Sequence, residues 1–310
     1  MTDKKITEES SYKCGFVALL GRPNVGKSSI INTLLKEKVA AVSPKPQTTR
    51  NAIRCILTTE KEQIIFVDTP GIHKPKNVLG DFMINEASKA LSQVDLICFV
   101  VESGDHSFGE KEELIIDILS NFNIPIILAV NKIDKFAGDE VFWKTVELYE
   151  TRISPIAVVP ISAKKGTNMD VFIDTLSGLL PMQPPIYPAD MLMDSTERFL
   201  AAEVIREKIL NFTDQEVPHG IAVIVDEFKS PEEYPELKTC EIRATIIVDR
   251  EGQKGIIIGK AGSKLKMIGT AARKDLEEKF GYQIYLQLWV KVKPGWRKSQ
   301  DELRRLGYSF

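Results

Sequence analysis

Along the first 180 residues, short continuous apolar runs alternate with longer amphipathic stretches. The runs fall at 15–20 (GFVALL), 53–58 (IRCILT), 63–67 (QIIFV), 95–101 (DLICFVV), 125–130 (PIILAV) and 156–161 (IAVVPI). Most are apolar at successive rather than alternate positions. Strands buried on both faces of a helix-covered, mostly parallel sheet have that pattern. Helices are predicted at 27–36, 79–92, 110–121, 140–151 and 168–180. The order predicts a doubly wound α/β domain. Only four residues separate runs 53–58 and 63–67, too few for a crossover helix. These two are expected to pair antiparallel, as a hairpin at one edge of the sheet.

The stretch 181–190, PMQPPIYPAD, places four prolines in eight positions. It can neither continue a helix nor sit inside a sheet, and reads as a stiff linker. The expected division is a first domain at 1–181, a linker at 182–193 and a second domain at 194–310. In the second, a helix at 194–211, capped by Asp194 or Ser195, precedes strand-like runs at 220–228 and 239–250. A Gly-rich turn, a helix at 262–280 and a strand at 282–293 follow, and the tail 296–306 is a candidate last helix. With a short apolar helix ahead of the Gly-rich turn, the order is α-β-β-α-α-β, a small α+β module.

Charge sharpens this division. The 310 residues carry a net charge of −2, yet residues 238–310 hold 16 basic and 8 acidic side chains, leaving −10 for the remainder. A basic module on an acidic body suits a polyanionic partner for the module alone. No apolar run reaches the roughly 18 residues of a membrane-spanning helix. The polar start, MTDKKITEES, does not read as a secretory signal. Cys14, Cys55, Cys98 and Cys240 are scattered and, with His73, His106 and His219, lack zinc-site spacing. They read as reduced thiols of a cytosolic protein.

Candidate chemistry begins at Gly21-Arg22-Pro23-Asn24-Val25-Gly26-Lys27-Ser28, which fits the P-loop pattern G-x-x-x-x-G-K-[ST] between a strand and a helix. Its glycines allow backbone turns that aim N–H groups at phosphate. Lys27 can reach the β- and γ-phosphates, the Ser28 hydroxyl can ligate Mg²⁺, and the helix after it, with Ser29, adds its dipole. Asp68-Thr69-Pro70-Gly71 closes the run 63–67. An Asp there can hold the Mg²⁺ shell and the Gly71 N–H can meet a γ-phosphate. Asn131-Lys132-Ile133-Asp134 ends another strand. The Asp134 carboxylate can accept two hydrogen bonds from the N1–H and N2–H₂ edge of guanine, a donor pair that adenine lacks. Asn131 can brace the loop, and Lys132 can lie over the base. Ser162-Ala163, at the last strand end, can offer backbone N–H groups to guanine O6. All four lie at carboxyl ends of strands, where doubly wound sheets bind ligands.

GRPNVGKS, DTPG, NKID and SA, in this order, resemble the G1, G3, G4 and G5 elements of a translation-factor-class GTPase. The resemblance implies GTP or GDP with Mg²⁺, held by these motifs. Gln47-Thr48-Thr49-Arg50 is the G2 candidate, with Thr48 or Thr49 as the threonine that senses Mg²⁺ and the γ-phosphate. Ile72 stands where small signalling GTPases carry a water-orienting Gln, so slow intrinsic turnover is expected. Asn24 is a candidate holder of K⁺ in place of an arginine finger.

In the second module Gly259-Lys260-Ala261-Gly262 reads as the GXXG loop of a KH domain, with Ile258 before it and Lys264 and Lys266 after it. KH domains clamp about four nucleotides of single strand there. A G domain followed by a type II KH domain resembles the Era family, bacterial GTPases of small-subunit ribosome assembly. QTTR, DTPGIHKP and REGQKGIIIGKAG are in its style, over about residues 13–295. The resemblance implies a monomer that binds the single-stranded 3′ end of 16S rRNA on the 30S subunit. It also implies a cytoplasmic location with a share at the inner membrane. A double-G-domain ribosome GTPase would show a second GxxxxGKS. A tRNA-modifying GTPase would end near a Cys, whereas the last here is Cys240. The alternative from another class is an RNA-binding scaffold that uses GTP mainly as a structural ligand.

Overall fold

The computed structural model describes residues 12–40, 49–72, 74–105, 107–135, 138–213 and 220–308. They fall into two compact units. The first gathers the described residues up to Ala40 with Ala52–Ile72 and Ala87–Asp194. The second gathers those of Ala41–Asn51, His73–Glu86 and Ser195–Phe310.

The first unit is a helix-covered sheet. Its elements are β1 (Lys13–Leu20), α1 (Lys27–Leu35), β2 (Ile53–Thr58), β3 (Glu62–Asp68), α2 (Val78–Leu91, which enters from the second unit), β4 (Leu96–Glu102), α3 (Glu110–Leu119), β5 (Ile126–Asn131), α4 (Asp139–Ile153), β6 (Ala157–Pro160), α5 (Met169–Leu179) and β7 (Met193–Asp194). The strand order is β6-β5-β4-β1-β3-β2-β7. β1 runs parallel to β3 and β4, and β5 parallel to β4 and β6. The inner strands are mostly apolar because both faces are covered: Val17, Ala18, Leu19 and Leu20 of β1 are all buried.

The expected hairpin forms, with β2 antiparallel to β3, but it is not at the sheet edge. β7 pairs antiparallel with β2 outside it, Arg54 opposite Asp194. The proline-rich segment is therefore laid along the strands. Side-chain amides supply the bonds that proline nitrogens cannot. Buried Gln63 donates to the Tyr187 carbonyl at 2.9 Å and accepts from the Ile186 and Tyr187 amides at 2.8 and 2.9 Å. Gln183 donates to the Cys14 carbonyl at 2.8 Å.

The second unit contains α6 (Glu197–Phe212), β8 (Ile221–Lys229), β9 (Cys240–Val248), α7 (Glu251–Ile258), α8 (Ser263–Phe280), β10 (Ile284–Val292) and α9 (Gln300–Arg305). This is the expected α-β-β-α-α-β order. The sheet runs β10-β9-β8, with β10 parallel and β8 antiparallel to β9. Strand alternation gives the sheet two apolar faces. Ile242, Ile246 and Ile284 pack with Ile205, Ile209, Ile257, Ile268 and Leu276 of the helices. Ala222 and Ile247 turn the other way, against Leu79, Phe82 and Met83 of α2 and Trp296, Leu303 and Tyr308 of the tail.

Two boundaries differ from expectation. α6 is capped by Thr196, whose side chain accepts from the Phe199 amide at 3.2 Å, because Asp194 is already held in β7 opposite Arg54. The tail is not one helix. Fully buried Trp296 sits in a 3₁₀ turn, Trp296–Lys298, and Ser299 then caps α9, accepting from the Glu302 amide at 3.3 Å. Among the described residues, no helix is long and apolar enough to cross a membrane.

Candidate functional site

β1 ends in the core and the chain turns at once through Gly21–Gly26 into α1, so the loop is held at both ends. Gly26 has φ 110°, and a Cβ there would stand 2.3 Å from the Asn131 side-chain nitrogen. Only glycine serves at this position. Lys27 is buried and donates to the Gly21 and Arg22 carbonyl oxygens at 2.9 and 3.3 Å. Burial pushes its ammonium below the ordinary lysine range, against the opposing pull of Asp68.

Ser28 and Asp68, two of the candidate metal ligands, from separate motifs, meet. Ser28 Oγ donates to Asp68 Oδ2 at 2.8 Å. The next residue, Thr69, donates from its buried hydroxyl to the Leu19 carbonyl at 2.7 Å and ties the Asp68 turn to the end of β1. Gly71 lies against Pro23: a Cβ on it would be 3.0 Å from the proline ring.

Asn131 joins three motifs. Its Nδ2 donates to the Val25 carbonyl at 2.8 Å, and its Oδ1 accepts from the Ala163 amide at 3.1 Å. The Ser162 hydroxyl donates to Asp134 Oδ1 at 2.6 Å and holds the exposed Asp134 carboxyl below its ordinary value. Asp134 sits in a 3₁₀ turn, Ile133–Lys135. Lys132, at φ 66°, donates to the Asn24 carbonyl at 2.8 Å. The Ala163 carbonyl accepts from Thr33 of α1 at 2.8 Å, while Ser29 accepts from the same hydroxyl through its own carbonyl.

Several residues named from sequence do not present side chains here. The Arg22 guanidinium pairs with Asp105 and with Glu112 at 3.0 Å. Ile72 is buried in the core with Leu20, Phe99 and Ile115, and Val25 is also buried. Thr49 is buried beside Arg50 and falls in the second unit. Gln47 and Thr48 lie outside the described residues.

Sequence reading missed Glu102 at the carboxyl end of β4. Its carboxylate accepts from Lys132 at 2.7 Å and from Lys135 at 2.6 Å. Burial works to raise this carboxyl, but the two lysines outweigh it and hold it below its ordinary value. An acidic residue ending an inner strand of such a sheet was the available signal.

In the second unit, α7 ends at Gly259, and Lys260–Gly262 form a 3₁₀ turn leading into α8. A Cβ at Gly259 would approach the Lys264 Cβ to 2.7 Å, whereas one at Gly262 would meet nothing within 4 Å. The loop is therefore tight inside and open outside. Lys260, Ala261 and Lys266 are exposed, Lys264 and Ile258 half-buried. A groove of about 420 Å³ runs from Gly262 between α8 and β10, past Leu265, Lys266 and Leu288. Arg273 and Tyr285 also line it and were not singled out from sequence. The seven-residue spacing of Lys266 and Arg273, two helical turns, was the signal.

The family model described as "50S ribosome-binding GTPase" matches residues 16–132, and the KH domain model matches residues 216–297. GTPase Era of Caldanaerobacter subterraneus subsp. tengcongensis is 50% identical over 300 residues, 97% of this chain and 99% of the relative. The crystal structure of an Aquifex aeolicus Era variant bound to GDP.AlF4⁻ is 41% identical, with TM-score 0.90, covering 96% of this chain and 100% of that one. A crystal structure of Era with MgGDPNP and nucleotides 1506–1542 of 16S ribosomal RNA matches over the same shares, at 41% identity and TM-score 0.91.

Proposed function

This chain belongs to the Era family of GTPases, and we propose that its GTP hydrolysis switches a KH module that binds the 3′ end of 16S rRNA during assembly of the 30S subunit. The observation that carries this reading is the Asn131 side chain. It holds the Gly21–Gly26 loop and the Ser162–Ala163 turn against the strand that leads to Asp134. Phosphate-binding and base-reading elements are thereby organised as one site. The relative's complex with 16S RNA and the GXXG loop opening onto a groove support the RNA half.

In this reading the loop amides and Lys27 bind the β- and γ-phosphates of GTP or GDP. Asp134 reads the guanine N1–H and N2–H₂ edge, Lys132 with Ile133 covers the base, and the Ser162–Ala163 backbone meets O6. Ser28 and Asp68 are hard oxygen donors 2.8 Å apart, a pair that suits Mg²⁺. The ion would neutralise charge on the β- and γ-phosphates. The Gly71 amide, between Pro70 and buried Ile72, meets the γ-phosphate. The switch threonine is Thr48 or Thr49. With Ile72 in the core, no side chain at that position orients water, and turnover without an activator is slow. Asn24, exposed at the head of the loop, would hold a K⁺, which would offset charge developing on the phosphates.

Lys260, Lys264 and Lys266 supply charge to phosphates passing Gly259, Ala261 and Gly262, and Ile258 supports the loop from the end of α7. We place the protein, as a monomer, in the cytoplasm where ribosomal RNA is made, with peripheral contact at the membrane's cytoplasmic face. Crosslinking to cellular RNA and sequencing the footprint tests the assignment. Enrichment of the 16S 3′ end is expected, and a footprint elsewhere overturns it. GTP turnover measured with and without that RNA separates a switch from a scaffold that keeps GTP as a structural ligand.

A further inference from the structure

Glu102 ends β4 directly opposite Asn131 of β5, and the Ser103 amide donates to the Asn131 carbonyl at 2.8 Å. The strand register thus fixes a carboxylate beside the start of the NKID motif. Its two oxygens are used separately. Oε2 accepts from Lys132 at 2.7 Å and Oε1 from Lys135 at 2.6 Å. These two lysines flank Ile133 and Asp134, so one side chain grips both sides of the base-reading turn.

The grip extends to the phosphate loop. Lys132 also donates to the Asn24 carbonyl at 2.8 Å. The Glu102 amide donates to Asp105 Oδ2 at 3.3 Å, and Asp105 pairs with Arg22. The turn after β4 therefore holds the phosphate loop at Arg22, and holds Asn24 through Lys132.

Two features make Lys132 dependent on such support. Its backbone is left-handed, at φ 66°, a conformation costly for a residue with a Cβ and kept only where the surroundings enforce it. Its ammonium is a point charge on a flexible four-carbon stem. Without a counter-ion the stem samples solvent, and ordering it over the base opposes nucleotide binding.

We propose that Glu102 is a positioning residue for guanine-nucleotide binding, acting through Lys132 and Lys135 to pre-order the turn that carries Asp134. This rests on the nucleotide-site reading above. Loss of the carboxylate removes that ordering, and the effect falls on nucleotide release and on KM more than on kcat.

The test uses the full chain and a ribose-labelled fluorescent GDP, with release rates measured for Glu102→Ala, Lys132→Ala and the double variant. Glu102→Ala is expected to speed release about tenfold, the effect of losing a charge-assisted hydrogen bond. Because the two residues share the Glu102–Lys132 contact, the double variant is expected to speed release by less than the product of the two single effects. Glu102→Gln keeps one acceptor oxygen but turns an NH₂ toward a lysine, so a smaller change in the same direction is expected. It also serves should Glu102→Ala fail to fold. Multiplying effects in the double variant, or unchanged release in both Glu102 variants while Lys132→Ala speeds it, overturns the role of Glu102 alone. Unchanged release in Lys132→Ala overturns the base-site reading itself.

Discussion

Arg50 donates a hydrogen bond to the carbonyl oxygen of Ile221, 171 positions further along the chain, at 2.6 Å. The same nitrogen donates to the Tyr308 hydroxyl at 3.1 Å, and the guanidinium lies 5.9 Å from the Trp296 ring centroid. Arg50 is fully buried among these groups. The residue after the candidate switch threonines is thus a structural part of the second unit. Arg50→Met keeps most of the side-chain volume and removes the donors. Leaving the Ile221 carbonyl without its donor costs about 1–3 kcal/mol. A lower thermal unfolding midpoint is expected. An unchanged midpoint would show that the bond contributes nothing.

Asn131→Ala removes the bonds to Val25 and Ala163 together and opens space beside Gly26. Both partners are buried, so GDP affinity is expected to fall at least about tenfold, with a lower unfolding midpoint. Calorimetric titration with GDP checks this. Wild-type affinity would mean that the loops hold their places without the staple.

Asp134→Asn is expected to move preference from GTP toward xanthosine triphosphate, whose C2 oxygen accepts from the new amide. Competition binding between the two nucleotides reads the shift. Retained GTP affinity with no gain for the xanthine nucleotide would remove Asp134 from the base site.

Gly262→Asp puts a carboxylate where the loop faces open space, at φ 78°. RNA binding is expected to weaken strongly while GTP binding stays intact, since the change repels phosphate at one module only. Equal loss of both activities would point to misfolding.

KCl is expected to accelerate GTP hydrolysis severalfold over NaCl at equal ionic strength, and Asn24→Ala is expected to abolish the difference. Na⁺ is smaller and fits the same oxygen cage less well. Identical rates in the two salts for the unmodified protein would exclude a cation role for Asn24.

The sequence by itself determined the strand and helix order, the glycine-rich Gly21–Ser28 loop, the Asn131–Asp134 turn and the GXXG loop. Each depends on local backbone geometry and on residue types at short spacing. Gly26 must turn where a side chain would strike Asn131, and Gly262 faces open space at a positive φ. Tertiary structure decided what depends on distant partners. The proline-rich segment lies along the sheet, ahead of edge strand β7, because the Gln63 and Gln183 amides supply its missing bonds. Thr49 and Arg50 joined the second unit because Ile221 and Tyr308 hold the guanidinium there. Glu102 stood out only once β4 and β5 were in register. A carboxylate at a strand end has no signature of its own until the neighbouring strand brings Lys132 and Lys135 within 2.7 Å of it.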